Sequence, residues 1–157
     1  MSEDADDDDL LLDANLRRYG LGPDGDLLAE VRENLRERIA AEHREQGLGN
    51  TELMRLCCVQ LFNAGDLEDV LLIWQAKTSS WDAQCSVDVQ LLCGAGLPET
   101  KAFLAGRAHI EEAGEALTWV NECEAAGDFD GFSVQEYAEF QAAYYLGGPS
   151  DPGEGLS

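Results

Sequence analysis

The dipeptide Ala-Gly recurs three times at a constant interval of 31 residues, as Ala64-Gly65, Ala95-Gly96 and Ala126-Gly127. The same spacing precedes each copy: Met54/Cys58/Leu61, Cys85/Val89/Leu92 and Ala116/Val120/Cys123. These positions are i, i+4 and i+7 on one helix face, and the face ends three residues before each Ala-Gly. A period between roughly 20 and 50 residues marks an array whose units cover their apolar faces only against their neighbours. The expected fold is therefore all-α: a stack of three helical hairpins, at about 51–82, 83–108 and 109–146, preceded by two N-terminal helices. A chain of 157 residues fits one domain, here residues 10–146, and can bury enough surface to fold without staples.

Local signals place the helices. Met1 to Asp9 carry six acids and no base, and are expected to be flexible. Asp6 to Asp9 then favour the start of a helix that runs through Leu10-Leu11-Leu12 to Arg18 and stops at Gly20. After the turn Gly22-Pro23-Asp24-Gly25, the residues Leu27, Leu28, Val31, Leu35 and Ile39 predict a long helix from Asp26 to Gln46, with Gly47 beyond it. The first hairpin pairs Thr51–Asn63 with Asp66–Lys77, where Asp66 is an N-cap and the apolar run Val70 to Trp74 makes the second helix central. The second hairpin pairs Ala83–Cys93 with Pro98–Ala105. The third has Glu111–Ala125, a turn from Gly127 to Gly131, and a last helix opened by the capping box of Ser133 and Glu136. The tail 147–157, rich in glycine and proline, is expected to be disordered.

Gly65-Asp66-Leu67-Glu68-Asp69-Val70, followed by Ile73-Trp74, resembles the turn and second helix of an ankyrin repeat, which often reads G-h-x-E-x-V-x-x-L-L. The second unit shares Leu91-Leu92 before Ala95-Gly96 and Glu99 after it, and the third shares Ala126-Gly127. The family's T-P-L-H opening is absent from every unit, and Lys101 stands where the second would carry the valine. The resemblance implies a degenerate ankyrin-like solenoid over residues 51–146 that recognises proteins with its turn tips and helix faces.

Charge narrows the partner. Thirty-two acidic against ten basic side chains give a net charge of −22. Such a surface repels nucleic acid and anionic membrane and draws in basic proteins or basic peptide segments; it also confers solubility. Seven of the ten bases lie in residues 1–55, where Arg32, Arg36, Arg38 and Arg44 interleave with Glu33, Glu37, Glu42 and Glu45 on the long helix, as expected of an exposed face with local ion pairs. Beyond Arg55 only Lys77, Lys101 and Arg107 remain, against 17 acids. Asp66, Glu68 and Asp69, then Glu99, then Asp128 and Asp130, follow successive Ala-Gly turns and would line one edge of a stack. Helix capping alone explains acids at such positions; a docking strip for a partner's lysines and arginines is the functional reading, and both can hold together.

Signals for chemistry are weak by comparison. Asp128-Phe129-Asp130-Gly131 has the start of a calcium loop, but the fifth and sixth positions are Phe132 and Ser133, where an oxygen ligand and a glycine are needed. His43 and His109 show no metal spacing, Gly94-Ala95-Gly96 reads as a helix turn, and no cofactor is expected. The aromatic side chains Trp74, Trp81, Trp119, Tyr137, Tyr144 and Tyr145 lack the basic surroundings that nucleic acid requires; Trp81 and Tyr145 are candidate interface anchors. The five cysteines form no C-x-x-C pair and look like small core residues. No basic-then-apolar leader and no apolar run of about 18 residues is present, so the expected address is a reducing cytoplasm.

The sequence thus points to a non-enzymatic interaction module whose binding residues are Asp66, Glu68, Asp69, Trp81, Asp82, Glu99, Asp128 and Asp130, of which an inhibitor or immunity-type protein covering a basic toxin or nuclease is a specific form. The alternatives are an enzyme with its site in a groove near Trp81, Asp82 and Asp88, and a structural subunit whose charge confers solubility alone.

Overall fold

The three Ala-Gly copies share a positive φ at the glycine and a short backbone hydrogen bond. Gly65, Gly96 and Gly127 have φ of 70°, 111° and 97°, values that side-chain-bearing residues rarely adopt. Each N–H donates to the carbonyl three residues back: Gly65 to Phe62 at 3.1 Å, Gly96 to Cys93 at 2.9 Å and Gly127 to Glu124 at 3.1 Å. The recurrence therefore marks three like chain reversals, each closing a helical segment.

The structure, a computed structural model, describes residues 2–45 and 51–147. These form α1 (Ser2–Tyr19), α2 (Gly25–Glu45), α3 (Thr51–Ala64), α4 (Val70–Lys77), α5 (Trp81–Ser86), α6 (Leu97–Ala105), α7 (Glu111–Ala125) and α8 (Val134–Leu146). Two 3-10 turns, Leu67–Asp69 and Val89–Cys93, precede α4 and α6, and no strand occurs among the described residues. The fold is all-α. α1 starts at Ser2, N-terminal to the acid run and not after it. The expected Gly47 stop and the tail beyond Gly147 lie outside the described residues.

The second hairpin departs from expectation. Instead of one helix from Ala83 to Cys93, α5 ends at Ser86, Val87 and Asp88 are extended, and a 3-10 turn follows. Val87 is fully buried, and two carbonyls at this break, of Gln84 and Val87, accept from the ammonium of Lys77. The break carries Cys85 off the expected core face: its side chain is exposed, and Cys123 is only half-buried. Met54, Cys58, Leu61, Val89, Leu92, Ala116 and Val120 are all buried.

The centre of the molecule is α3. Met54 and every residue from Leu56 to Phe62 are buried, because α3 is enclosed by α1, α2, α4, α5 and α8. α4 is also deeply set, with Val70, Leu72, Ile73, Trp74, Ala76 and Lys77 buried. α2 lies along α3 and α4 and contributes Val31, Leu35 and Ile39, so the N-terminal helices belong to the same core. Where the second 3-10 turn crosses α3 the backbones nearly touch, and a Cβ on Gly94 would collide with the carbonyl of Phe62.

α8 packs back onto α3, out of the neighbour-to-neighbour order of a linear stack. Phe62 meets Tyr137 edge-on at 5.2 Å. Arg55 of α3 donates to the Tyr145 hydroxyl at 2.9 Å and to Gln141 Oε1 at 2.8 Å, with its guanidinium 4.7 Å from the Tyr144 ring. Tyr145 is consequently half-buried, and the exposed aromatics of α8 are Phe140 and Tyr144.

Candidate functional site

Asp66, extended at φ −88° and ψ 117°, caps the 3-10 turn before α4: its Oδ1 accepts from the Glu68 N–H at 2.9 Å. Its other oxygen faces Arg32 Nη2 at 3.3 Å. Asp69 is only 5% exposed, and both its oxygens are taken by Arg32, from Nε at 2.8 Å and Nη2 at 3.0 Å. A carboxylate enclosed and engaged in this way is not presented to a partner, which removes Asp69 from the expected binding set. Arg32 likewise leaves the expected local pairing on α2, although Arg36 keeps it with Glu33 at 3.2 Å.

The remaining acids of the edge are exposed. Glu68 makes a long contact with Arg107 at 3.4 Å while 72% of its side chain stays open. Glu99, in the first turn of α6, folds back over Gly96, and Asp130 lies over Gly127, so a Cβ at either glycine would meet a carboxylate. Asp128 is exposed, and its backbone carbonyl accepts from Gln90 Nε2 at 2.9 Å. Between Asp128 and Asp130 the chain is anchored by Phe129, 6% exposed and edge-on to Phe132 at 5.4 Å, which fixes the turn by apolar packing. The three turns adjoin in order. Gly65 sits against the backbone of Gly94, and Gln90 bridges to the third turn.

Trp81 and Asp82 fall elsewhere. α5 begins there, capped by Ser80, whose oxygen accepts from the Ala83 N–H at 3.0 Å and whose hydroxyl meets Glu42. Trp81 is 75% exposed. It follows the C-terminal end of α4, whereas Asp66 and Glu68 precede its N-terminal end, and eight helical residues span about 12 Å. The expected binding residues therefore divide into an acidic edge at one end of α4 and a tryptophan at the other.

Three basic groups in this half of the chain are internally consumed. Lys77 is 5% exposed and its ammonium donates to the Gln84 carbonyl at 2.9 Å and to that of Val87. Lys101 pairs with Glu124 at 2.6 Å, and Arg107 reaches Glu68. The opposing acids outnumber them, and most stay exposed.

Of the alternative site expected near Trp81, Asp82 and Asp88, Trp81 and Asp82 are exposed and Asp88 is half-buried. Asp88 accepts from the Tyr137 hydroxyl at 2.8 Å and so holds α8 in place. Burial pushes the thiols of Cys57 and Cys93 up to about 12 and that of Cys58 well above its ordinary value, which keeps them protonated and unreactive at neutral pH. Among the described residues no three His, Cys, Asp or Glu side chains converge as metal ligands.

Sequence reasoning missed Arg32 as the partner of Asp69, Lys77 as a buried seal, and Phe140 and Tyr144 as the exposed aromatics. A lone base in an apolar helix was a visible signal for Lys77; the others depend on contacts 37 or more residues apart. No protein-family model, no curated protein and no solved structure matches the chain.

Proposed function

We propose that the protein is a non-enzymatic interaction module that captures a basic protein or basic peptide segment on the edge formed by Glu68, Glu99, Asp128 and Asp130, with Asp66 behind them as a structural cap. The observation that carries this reading is the disposition of charge: Lys77, Lys101 and Arg107 are buried or paired, while these carboxylates remain exposed on adjoining turns. A one-signed exposed strip accelerates encounter with an oppositely charged surface and fixes its orientation. The ankyrin-like resemblance supports the same reading through the three like turns, and an inhibitor or immunity-type protein that covers a basic toxin or nuclease is its specific form. All five cysteines are unbridged, which supports a reducing, cytoplasmic address. Among the described residues no helix is long and apolar enough to cross a membrane.

The reading is tested with immobilised protein and extract of the source cell. At low salt the wild type should retain a basic protein that elutes at high salt, and the variant Glu68→Gln/Glu99→Gln/Asp130→Asn should fail to retain it. Equal retention by the two proteins would overturn the assignment of the edge.

A further inference from the structure

Helices α1 and α2 and the start of α3 line an open pocket of about 290 Å³, at the small end of the range for ligand sites. Leu11 and Leu53 give it an apolar wall. Another wall is a closed polar chain: Asn34 donates to the Tyr19 hydroxyl at 3.3 Å, and that hydroxyl donates to Glu30 at 2.9 Å.

Two donors in the pocket are left over. Asn15 is 8% exposed and lines the cavity; its Oδ1 accepts from Gln60 Nε2 at 2.7 Å, while its own amide nitrogen has no acceptor among the described residues. Among the described residues the Asn15 nitrogen is not one of the fully enclosed side-chain atoms without partners, so it keeps access to solvent-filled space at the cavity that Asn15 lines. A nearly buried donor that lacks an acceptor marks the place of one. Arg38, half-buried, lines the same pocket and pairs with no carboxylate among the described residues, whereas Arg18, which also lines it, is taken by Glu30. A planar guanidinium and an amide donor lining one pocket suit a carboxylate. Glu37, exposed at the rim, adds one negative charge.

The whole-molecule charge of −22 opposes entry of a net anion. A zwitterion brings a carboxylate without net charge, and its ammonium has Glu37 to face. We infer that this pocket binds a free α-amino acid with a small aliphatic side chain, its carboxylate on Arg38 and Asn15, its ammonium toward Glu37 and its side chain against Leu11 and Leu53. This site is separate from the acidic edge and does not depend on it.

The test is titration of the full chain with L-leucine, followed by amide NMR shifts, with 4-methylpentanoate, which lacks the ammonium, and leucinol, which lacks the carboxylate, as comparators. L-Leucine should produce saturable shifts centred on α1, α2 and the start of α3, and each comparator should bind about tenfold more weakly or worse. Arg38→Gln should abolish the leucine response. Glu37→Gln, at an exposed position that the fold does not need, should weaken leucine and leave 4-methylpentanoate unchanged or tighter; Arg36→Gln should leave leucine binding intact. No saturable shift up to about 10 mM, shifts centred elsewhere, or a comparator that binds wild type as tightly as leucine would overturn the inference.

Discussion

Arg32 donates to both oxygens of Asp69, and one residue earlier Glu68 reaches into solvent. Two neighbouring acids thus do different work, and substitution should separate them. Asp69→Ala removes the bidentate partner of a half-buried guanidinium, leaving it the longer contact with Asp66, and should lower stability by about 1–2 kcal/mol, whereas Glu68→Gln should stay within about 0.5 kcal/mol of wild type. Urea midpoints check both, and equal effects would contradict the placement of Asp69. The buried thiols make a second residue-scale prediction. A group whose folded pKa exceeds its unfolded value keeps its proton in the fold after the unfolded chain has lost it, so its stabilisation is complete below the unfolded pKa and declines as pH rises toward the folded one. Cys57, Cys58 and Cys93 all behave this way: burial raises Cys57 and Cys93 from an ordinary thiol near 8.5 to about 12 and raises Cys58 well above its ordinary value. Lys77, lowered by burial, runs the other way just below the ordinary lysine range, and is outnumbered. Stability should therefore fall between about pH 8.5 and 10 by up to roughly 1.4 kcal/mol per pH unit for each thiol, and Cys57→Ala/Cys93→Ala should flatten the slope. A pH-independent urea midpoint across that window would refute this.

At the scale of elements, α7 and the three glycine turns were legible because their causes are local: an apolar stripe, a glycine at positive φ, and a hydrogen bond to the carbonyl three residues back. The capping box of Ser133 is equally local, and its oxygen accepts from the Glu136 N–H at 3.2 Å. The break between α5 and the second 3-10 turn was not legible. Apolar periodicity runs straight across it, but the helix is stopped by burial of Val87 and by Lys77, ten residues upstream, which takes the Val87 carbonyl. The return of α8 to α3 was hidden for a like reason, since Arg55 and Gln141 are 86 residues apart. Of the candidate site, the exposed acids were legible and the loss of Asp69 to Arg32 was not. Lys77→Met tests the break directly. It leaves two carbonyls without their donor, should cost about 1–3 kcal/mol, and should speed amide exchange in α5 while sparing α7. Uniform acceleration in both helices would show that Lys77 does not hold this element in particular.

Over the whole molecule, a core gathered around α3 presents an acidic edge on one side and leaves Trp81 at the far end of α4. The edge is built from turns fixed by glycine geometry and by the buried Phe129, so on the proposed reading its carboxylates sit on a rigid support and would need little ordering on binding. Exposed charges act mainly on encounter rate and are screened beyond about 8 Å at physiological ionic strength, whereas capping acids act on helix stability. The decisive measurement is the association rate of the retained basic partner with wild type and with Glu68→Gln/Glu99→Gln/Asp130→Asn across a salt series, alongside the melting midpoints of both proteins. The wild-type rate should fall steeply with salt, the variant's rate should be slower and flatter, and the midpoints should be nearly equal; an unchanged rate with a lowered midpoint would show that these carboxylates serve the helices alone.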